Sequence, residues 1–180
     1  VIIPPDNGYV ACGTTGAGKM PPENVLLEYI LRECAKEKDL KGRRILVTAG
    51  PTREAIDPVR YITNHSTGRM GYAIAKTAML RGADVTLVSG PVSITPPPFV
   101  KVINIQSAAD MFKAVSENAL DADIIIKAAA VADYTPSCVA DNKIKKKDGD
   151  MKIELERTVD ILKWLGENKK ECQVTCGFSM

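Results

Sequence analysis

The sequence predicts an α/β fold: a Rossmann-like three-layer arrangement, with helices on both faces of a mostly parallel sheet, plus a flap hairpin. Three observations carry this expectation. From Arg44 onward, short apolar runs closed by glycine alternate with helical stretches of about ten to fifteen residues, which is the signature of βαβ units. Gly and Pro bound most of these runs, as at Gly50, Gly82, Gly90 and Pro96–Pro98. With 180 residues, the chain is long enough for one core-bearing domain, or for one domain and part of another.

Taken in order, residues 1–20 are dense in Pro, Gly, Asp and Asn and show no period, so they are expected to be loop. "PPENVLLEYILRECAKEKDLKG" reads as a helix, with prolines at its start, Glu23 in the first turn, and Leu26, Tyr29 and Ile30 on one face; Gly42 marks its close. It should link residues 1–20 to a domain at 43–180. There "RILVTAG" is a strand, "GYAIAKTAMLRG" a helix closed by Gly82, and "ADVTLVSG" a second strand. After the proline turn "TPPPF" come the strand "VKVINI", a helix over "SAADMFKAVSENAL" and the strand "DADIIIKAAA". "KIKKKDGDMKIELER" places an Asp-Gly turn between alternating segments and reads as a hairpin outside the main sheet. "TVDILKWLGENKK" is the last helix and "CQVTCGF" the next buried strand.

Composition excludes several classes. A net charge of +2 gives no argument for nucleic acid, so a basic site must be local. No run of about 18 apolar residues is present for a membrane span. Five cysteines, Cys12, Cys34, Cys138, Cys172 and Cys176, form no C-x-x-C pair, which suits structural thiols in a reducing, cytoplasmic setting. The chain opens on "VIIPPDNG" without Met and stops on "GFSM" as a strand is ending, so an internal fragment of a longer polypeptide is expected.

In open α/β sheets, ligands bind beyond the carboxyl ends of the strands. Three polar loops fall there: "TAGPTREAIDPVRYITNHSTGRMG", "SGPVS" and "AAAVADYTP". The first far exceeds the about two to six residues of an ordinary βα connection, and loops of that length are usually functional. It ends with Ser66, Thr67 and Gly68 against a helix start, where free N–H groups and the dipole favour a phosphate. Ser66 or Thr67 acting only as an N-cap is the alternative. His65, the only histidine, admits both a loop-packing and a catalytic role. Alanines after the fourth strand allow close approach of a base or ribose, with Asp133 as the one carboxylate; a packed strand end capped by Asp133 explains the same residues. Lys143, Lys145, Lys146 and Lys147 could clamp a triphosphate or simply be solvated. A dinucleotide site is disfavoured: the first turn lacks G-x-G-x-x-G and Ser89 stands where an acidic ribose ligand is expected. Tyr72 and Lys76 make a Y-x-x-x-K pair, but in the first helix rather than a later one.

Together, "ILVTAGPTREAIDPVRYITNHSTGRMGYAIA", "VTLVSGPV", "AAAVADYTP" and "KIKK", in this order, resemble the phosphopantothenate–cysteine ligase half of the bifunctional bacterial coenzyme A biosynthesis flavoproteins. The resemblance runs from about residue 43 to the end. "IPPDNGYVACGTTGAGKM" resembles the end of the other half, the FMN-dependent phosphopantothenoylcysteine decarboxylase.

The resemblance implies that CTP activates the carboxylate of 4'-phosphopantothenate as an acyl-cytidylate, which the amine of cysteine then attacks. It gives Asn64 to the acyl-cytidylate, Ser66, Gly68 and the following helix start to phosphates, and Arg60 to the acidic substrate. It gives Ala129, Ala130 and Asp133 to the cytidine, with Phe178 against the base or ribose, and Lys143 to the phosphates as the flap lysine. Cys12 would be the decarboxylase's proton donor. Gly16-Ala17-Gly18-Lys19-Met20 meets the family's G-x-G-[RK]-M pattern. Mg²⁺ is implied with CTP, although no metal-ligand cluster is visible. FMN belongs to the decarboxylase half, most of whose site would lie before residue 1. A homodimer through the ligase domain and a higher homo-oligomer are also implied, with neither nucleic acid nor membrane as partner. Two departures stand out: Val159 where the family usually has proline, and an end at "GFSM" where the family continues. Two rivals remain, a nicotinamide oxidoreductase and a nucleotide-binding module that turns nothing over.

Overall fold

The computed structural model describes residues 1–9, 11–145 and 150–178. Its centre is a sheet of five parallel strands: β3 (Arg44–Ala49), β6 (Asp84–Ser89), β7 (Lys101–Asn104), β8 (Ile124–Lys127) and β11 (Val174–Gly177). The order across the sheet is β11-β8-β3-β6-β7. The chain therefore works outward from β3 to β7, then returns to place β8 on the other side of β3. The carboxyl ends of β3 and β8 are the topological switch point, where connections diverge and leave a crevice.

Helices cover both faces, as expected. On β3, Ile45, Val47 and Ala49 point one way and pack with Val85 and Leu87 of β6 against Tyr72, Ala75, Ala78 and Met79 of α2 (Arg69–Leu80). Leu46 points the other way with Val88 and Ile125, onto Met111 and Val115 of α3 (Ala108–Ala119) and Ile161 and Leu165 of α4 (Ile161–Asn168). Burial on both faces is why β3 and β6 read as continuous apolar runs rather than alternating ones. α3 starts at a reciprocal capping box: Asp110 N–H donates to Ser107 Oγ at 3.1 Å and Ser107 N–H to Asp110 Oδ2 at 2.9 Å. α4 starts at Asp160, whose Oδ1 accepts from Lys163 N–H at 3.0 Å, so Val159 lies outside the helix.

Four expectations need correction. Residues 1–20 are not all loop: β1 (Asp6–Tyr9) and β2 (Thr15–Lys19) form an antiparallel hairpin. Gly8 opposite Gly16 pairs through backbone alone, so no side-chain alternation announced it. The first helix, α1 (Glu23–Cys34), ends eight residues before Gly42. The chain after it is drawn onto α2 instead, with Leu40 N–H donating to Arg81 O at 3.1 Å and Arg81 paired with Asp39. α1 contacts the domain: Lys76 of α2 donates to Glu28 at 2.9 Å and Tyr29 meets Phe99 edge-on at 4.7 Å.

β11 is an edge strand rather than a buried one. Among the described residues it pairs with β8 alone, and Val174 is 58% exposed; α4 covers one face of the strand while α2 lies over β3 and β6. Finally, the flap hairpin is paired differently from the expectation. β10 (Leu155–Arg157) pairs antiparallel with β9 (Tyr134–Pro136), and residues 143–145 are in no strand. Backbone partners for the second arm come from the segment after β8, a long-range pairing that a local alternation does not reveal. Lys146, Lys147 and the Asp148-Gly149 turn lie outside the described residues.

Candidate active site

The long connection from β3 to α2 is built around the switch point. On leaving β3 it pairs with the segment that leaves β8: Ala130 N–H donates to Gly50 O at 2.9 Å and Thr52 N–H to Ala130 O at 3.3 Å. The Thr52 hydroxyl, fully buried, accepts from Ala132 N–H at 3.0 Å. The chain then folds into a small hairpin, β4 (Arg53–Ala55) with β5 (Tyr61–Thr63), and β5 delivers Asn64 back to the crevice. The Asn64 side-chain amide donates to Val131 O at 3.3 Å and Ala130 O at 3.4 Å, long bonds on an exposed group. His65 is exposed beside it.

The start of α2 follows. Its N-cap is Gly68, with φ +72° and no side-chain cap, so neither Ser66 nor Thr67 acts as the cap. Ser66 Oγ accepts only a long bond, 3.4 Å, from Gly68 N–H. A Cβ at Gly68 would lie 2.9 Å from Val92 Cγ1, and one at Gly71 would lie 2.5 Å from Ala49 Cβ. Glycine at both positions lets the first turn press onto the end of β3, leaving its N–H groups uncapped beside the crevice. That arrangement suits an anion.

Beyond β8 lies a cavity of about 430 Å³, lined by Lys127, Asp133, Arg157, Thr158 and Asp160 among others. Thr158 closes its wall, donating from N–H to Asp133 O at 3.0 Å and from its hydroxyl to Ala132 O at 2.6 Å. Burial pushes the Lys127 ammonium below the usual lysine range, opposed by the nearby Asp160 and Asp133 carboxylates. Sequence reasoning missed Lys127; the available signal was a lysine closing the otherwise apolar run "DIIIK".

The remaining expected residues fall as follows. Asp133 is exposed on the cavity wall. Ala129 and Ala130 lie between the cavity and the Asn64 loop, their N–H groups already given to Thr48 Oγ1 at 3.2 Å and to Gly50 O. Ala130 O is likewise taken, accepting from Thr52 N–H and from the Asn64 amide. Phe178 is 54% exposed, and its N–H donates to Lys127 O at 3.2 Å, which sets it one strand over from the cavity.

Arg60 is committed within the protein: its Nε and Nη2 donate to Asp57 Oδ2 at 3.0 and 2.6 Å, and Nη2 also to Ile144 O at 3.1 Å. The guanidinium holds the Asp57 carboxyl well below the usual carboxylate range, helped by N–H groups of Val59 and Ile144. Asp57 was also missed. Lys143 is exposed, next to Ile144.

Tyr72 and Lys76 are not a catalytic pair. The Tyr72 hydroxyl is buried against Ser89 Oγ at 2.9 Å, and Lys76 is ion-paired with Glu28. Cys12 sits in the exposed turn between β1 and β2, and the Thr14 hydroxyl 3.2 Å away holds its thiol below the usual range. All five cysteines are free and exposed, and among the described residues no group of three or more His, Cys, Asp or Glu could hold a metal. No helix among them is long and apolar enough to cross a membrane.

Comparison with known proteins identifies the family. Residues 40–180 match the family described as the DNA/pantothenate metabolism flavoprotein C-terminal domain. The coenzyme A biosynthesis bifunctional protein CoaBC of Bacillus subtilis is 53% identical over 182 residues, covering 99% of this chain and 44% of that protein. A cysteine/cysteine sulfinic acid decarboxylase from an unidentified prokaryote is 47% identical over 99% of this chain and 51% of its own length. The crystal structure of the C-terminal domain of a CoaBC protein superimposes with a TM-score of 0.68 at 52% identity, covering 77% of this chain and 65% of that one. The chain thus spans about half or less of the length of these curated relatives. It belongs to the DNA/pantothenate metabolism flavoprotein C-terminal domain family.

Proposed function

We propose that this chain is the carboxylate-activating part of a bifunctional coenzyme A biosynthesis protein, and that it joins 4'-phosphopantothenate to cysteine at the expense of CTP. The carboxylate of 4'-phosphopantothenate attacks the α-phosphorus of CTP and expels pyrophosphate. The amine of cysteine then attacks the acyl carbon of the cytidylate, CMP leaves, and the amine gives up a proton. Little acid–base machinery is required once the mixed anhydride exists; the protein must place the groups and neutralise phosphate charge.

One observation supports this reading: Asn64 bonds the carbonyl of Val131, which lines the Lys127–Asp133 cavity, while the uncapped start of α2 lies against Gly50 at the end of β3, the strand beside β8. In this arrangement the α2 start and Ser66 take phosphate oxygens, while Asp133 binds the cytidine over the small Ala129–Ala130 segment, with Phe178 beside it. Asn64 orients the acyl group, and Lys143 adds charge where pyrophosphate departs. Arg60 contributes through its place on the hairpin that carries Asn64. Among the described residues no group of three or more His, Cys, Asp or Glu could hold a metal, so a Mg²⁺ accompanying the nucleotide would take its ligands chiefly from the phosphates. Bound there, Mg²⁺ would neutralise phosphate charge.

In the same reading Cys12 belongs to the decarboxylase half, as a proton donor. Residues 1–20, a two-stranded hairpin with most side chains exposed, do not fit FMN by themselves, and no flavin step is assigned to them. Cytoplasmic location and homo-oligomeric assembly through this domain are part of the proposal.

The buried Tyr72 and the ion-paired Lys76 weigh against the nicotinamide rival. The test is a chase. The protein is held with CTP, Mg²⁺ and 4'-phosphopantothenate, and cysteine is then added. CMP and phosphopantothenoylcysteine formed in equal amounts support the ligase, whereas CTP bound without turnover selects a binding module.

A further inference from the structure

We infer that Asp57 is a positioning residue for Lys143: with Arg60 it grips the backbone of Ile144 and so sets where the neighbouring lysine stands. The inference rests on the proposed ligase reading for what Lys143 does, but the grip itself is geometric.

Asp57 has no exposed side-chain surface, and its two oxygens do different work. Oδ1 accepts from Val59 N–H at 2.8 Å and Arg60 N–H at 2.9 Å, which is all that closing the turn between β4 and β5 requires. Oδ2 faces away from that turn. It accepts from Arg60 Nε and Nη2 and from Ile144 N–H at 3.1 Å, a residue 87 positions along the chain. Arg60 Nη2 returns the contact by donating to Ile144 O at 3.1 Å. Both backbone groups of Ile144 are therefore held by one charged pair. A second tie, Ala140 N–H to Ile56 O at 3.1 Å, lays the segment before Lys143 along the same turn.

A turn-closing role alone leaves Oδ2 and the whole Ile144 contact unexplained. Charge-assisted bonds of this kind are short and strong, and an isolated buried carboxylate is costly, so the pair is stable only while both partners are present. β5 runs directly from Arg60 to Asn64. One hairpin therefore references both the residue given to the acyl group and the lysine given to the phosphates, which keeps the two at a set separation.

The experiment uses the intact protein with CTP, Mg²⁺ and 4'-phosphopantothenate. Asp57→Asn should slow single-turnover pyrophosphate release by about tenfold or more, the loss expected of a charge-assisted bond, with CTP affinity unchanged. If Asp57 acts through Lys143, adding Asp57→Asn to Lys143→Gln should slow the step no further than Lys143→Gln alone. Effects that multiply would overturn the inference. Hydrogen exchange on the wild type needs no variant: the Ile144 amide should be protected without ligand, and an Ile144 amide exchanging as fast as an unprotected loop would overturn the grip. Should the wild type release no pyrophosphate with CTP, the ligase reading fails and takes the role of Lys143 with it, while exchange at Ile144 still decides whether the grip exists.

Discussion

The side-chain amide of Asn64 lies 3.3 Å from the carbonyl oxygen of Val131, so one side chain bridges the loops that leave β3 and β8. Replacing it with aspartate would set a carboxylate against two carbonyl oxygens and, in the proposed arrangement, beside the acyl group. Asn64→Asp should impair amide formation more than CTP binding, since the phosphate site at the α2 start is left intact. Binding measured by calorimetry and amide measured by mass spectrometry separate the two; equal loss of both would remove Asn64 from the acyl site.

Lys127 predicts a trade between stability and binding. Its folded pKa is lowered, so the unfolded chain binds the proton more readily, and the penalty on folding is fully present below the folded pKa. Stability from this group therefore rises with pH through the folded value up to the unfolded value near 10.4. Lys127→Met should raise the melting temperature at neutral pH by a few degrees at most, since the Asp160 and Asp133 carboxylates partly offset the burial cost, while weakening CTP binding. A lower melting temperature with unchanged CTP affinity would remove the lysine from the nucleotide cavity.

Gly68→Ala should destabilise the protein by about 1–3 kcal/mol, the usual cost of a non-glycine residue held at positive φ. The cost should be compounded by contact with Val92, 2.9 Å from the added carbon. Urea unfolding gives the number. A neutral result would mean that the start of α2 is not pressed onto the end of β3 in solution.

Tyr72→Phe removes the buried hydroxyl from Ser89 and should cost about 0.5–1.5 kcal/mol, with no change in CTP-dependent turnover. A large loss of turnover at unchanged fold would revive a catalytic role for the tyrosine.

What was legible in the sequence follows from which forces act locally. β3, β6, α2 and α3 carry their own signals: doubly buried apolar runs, a helical face, and the Ser107–Asp110 capping box. The crevice was legible too, since the loop from residue 50 to 68 was too long to be a plain connection and met the "AAAVADY" loop across the switch point. Non-local pairing was not legible. β10 found its partner in β9, the glycine-rich β1 and β2 paired without side-chain alternation, and the exposure of β11 depends on which helices reach that side of the sheet. Asp57 and Lys127 were hidden for a related reason: their significance lies in Ile144 and in the cavity walls, partners that only the folded chain brings near.

The central claim is carboxylate activation by CTP at the switch point, and pyrophosphate release tests it most directly. The protein is mixed with 4'-phosphopantothenate and Mg²⁺ without cysteine, with CTP in one series and ATP in another. A burst of about one pyrophosphate per site with CTP, absent with ATP and slowed by Lys143→Gln, is the predicted result. A folded protein that binds CTP yet releases no pyrophosphate, or that releases it equally with ATP, would contradict the claim.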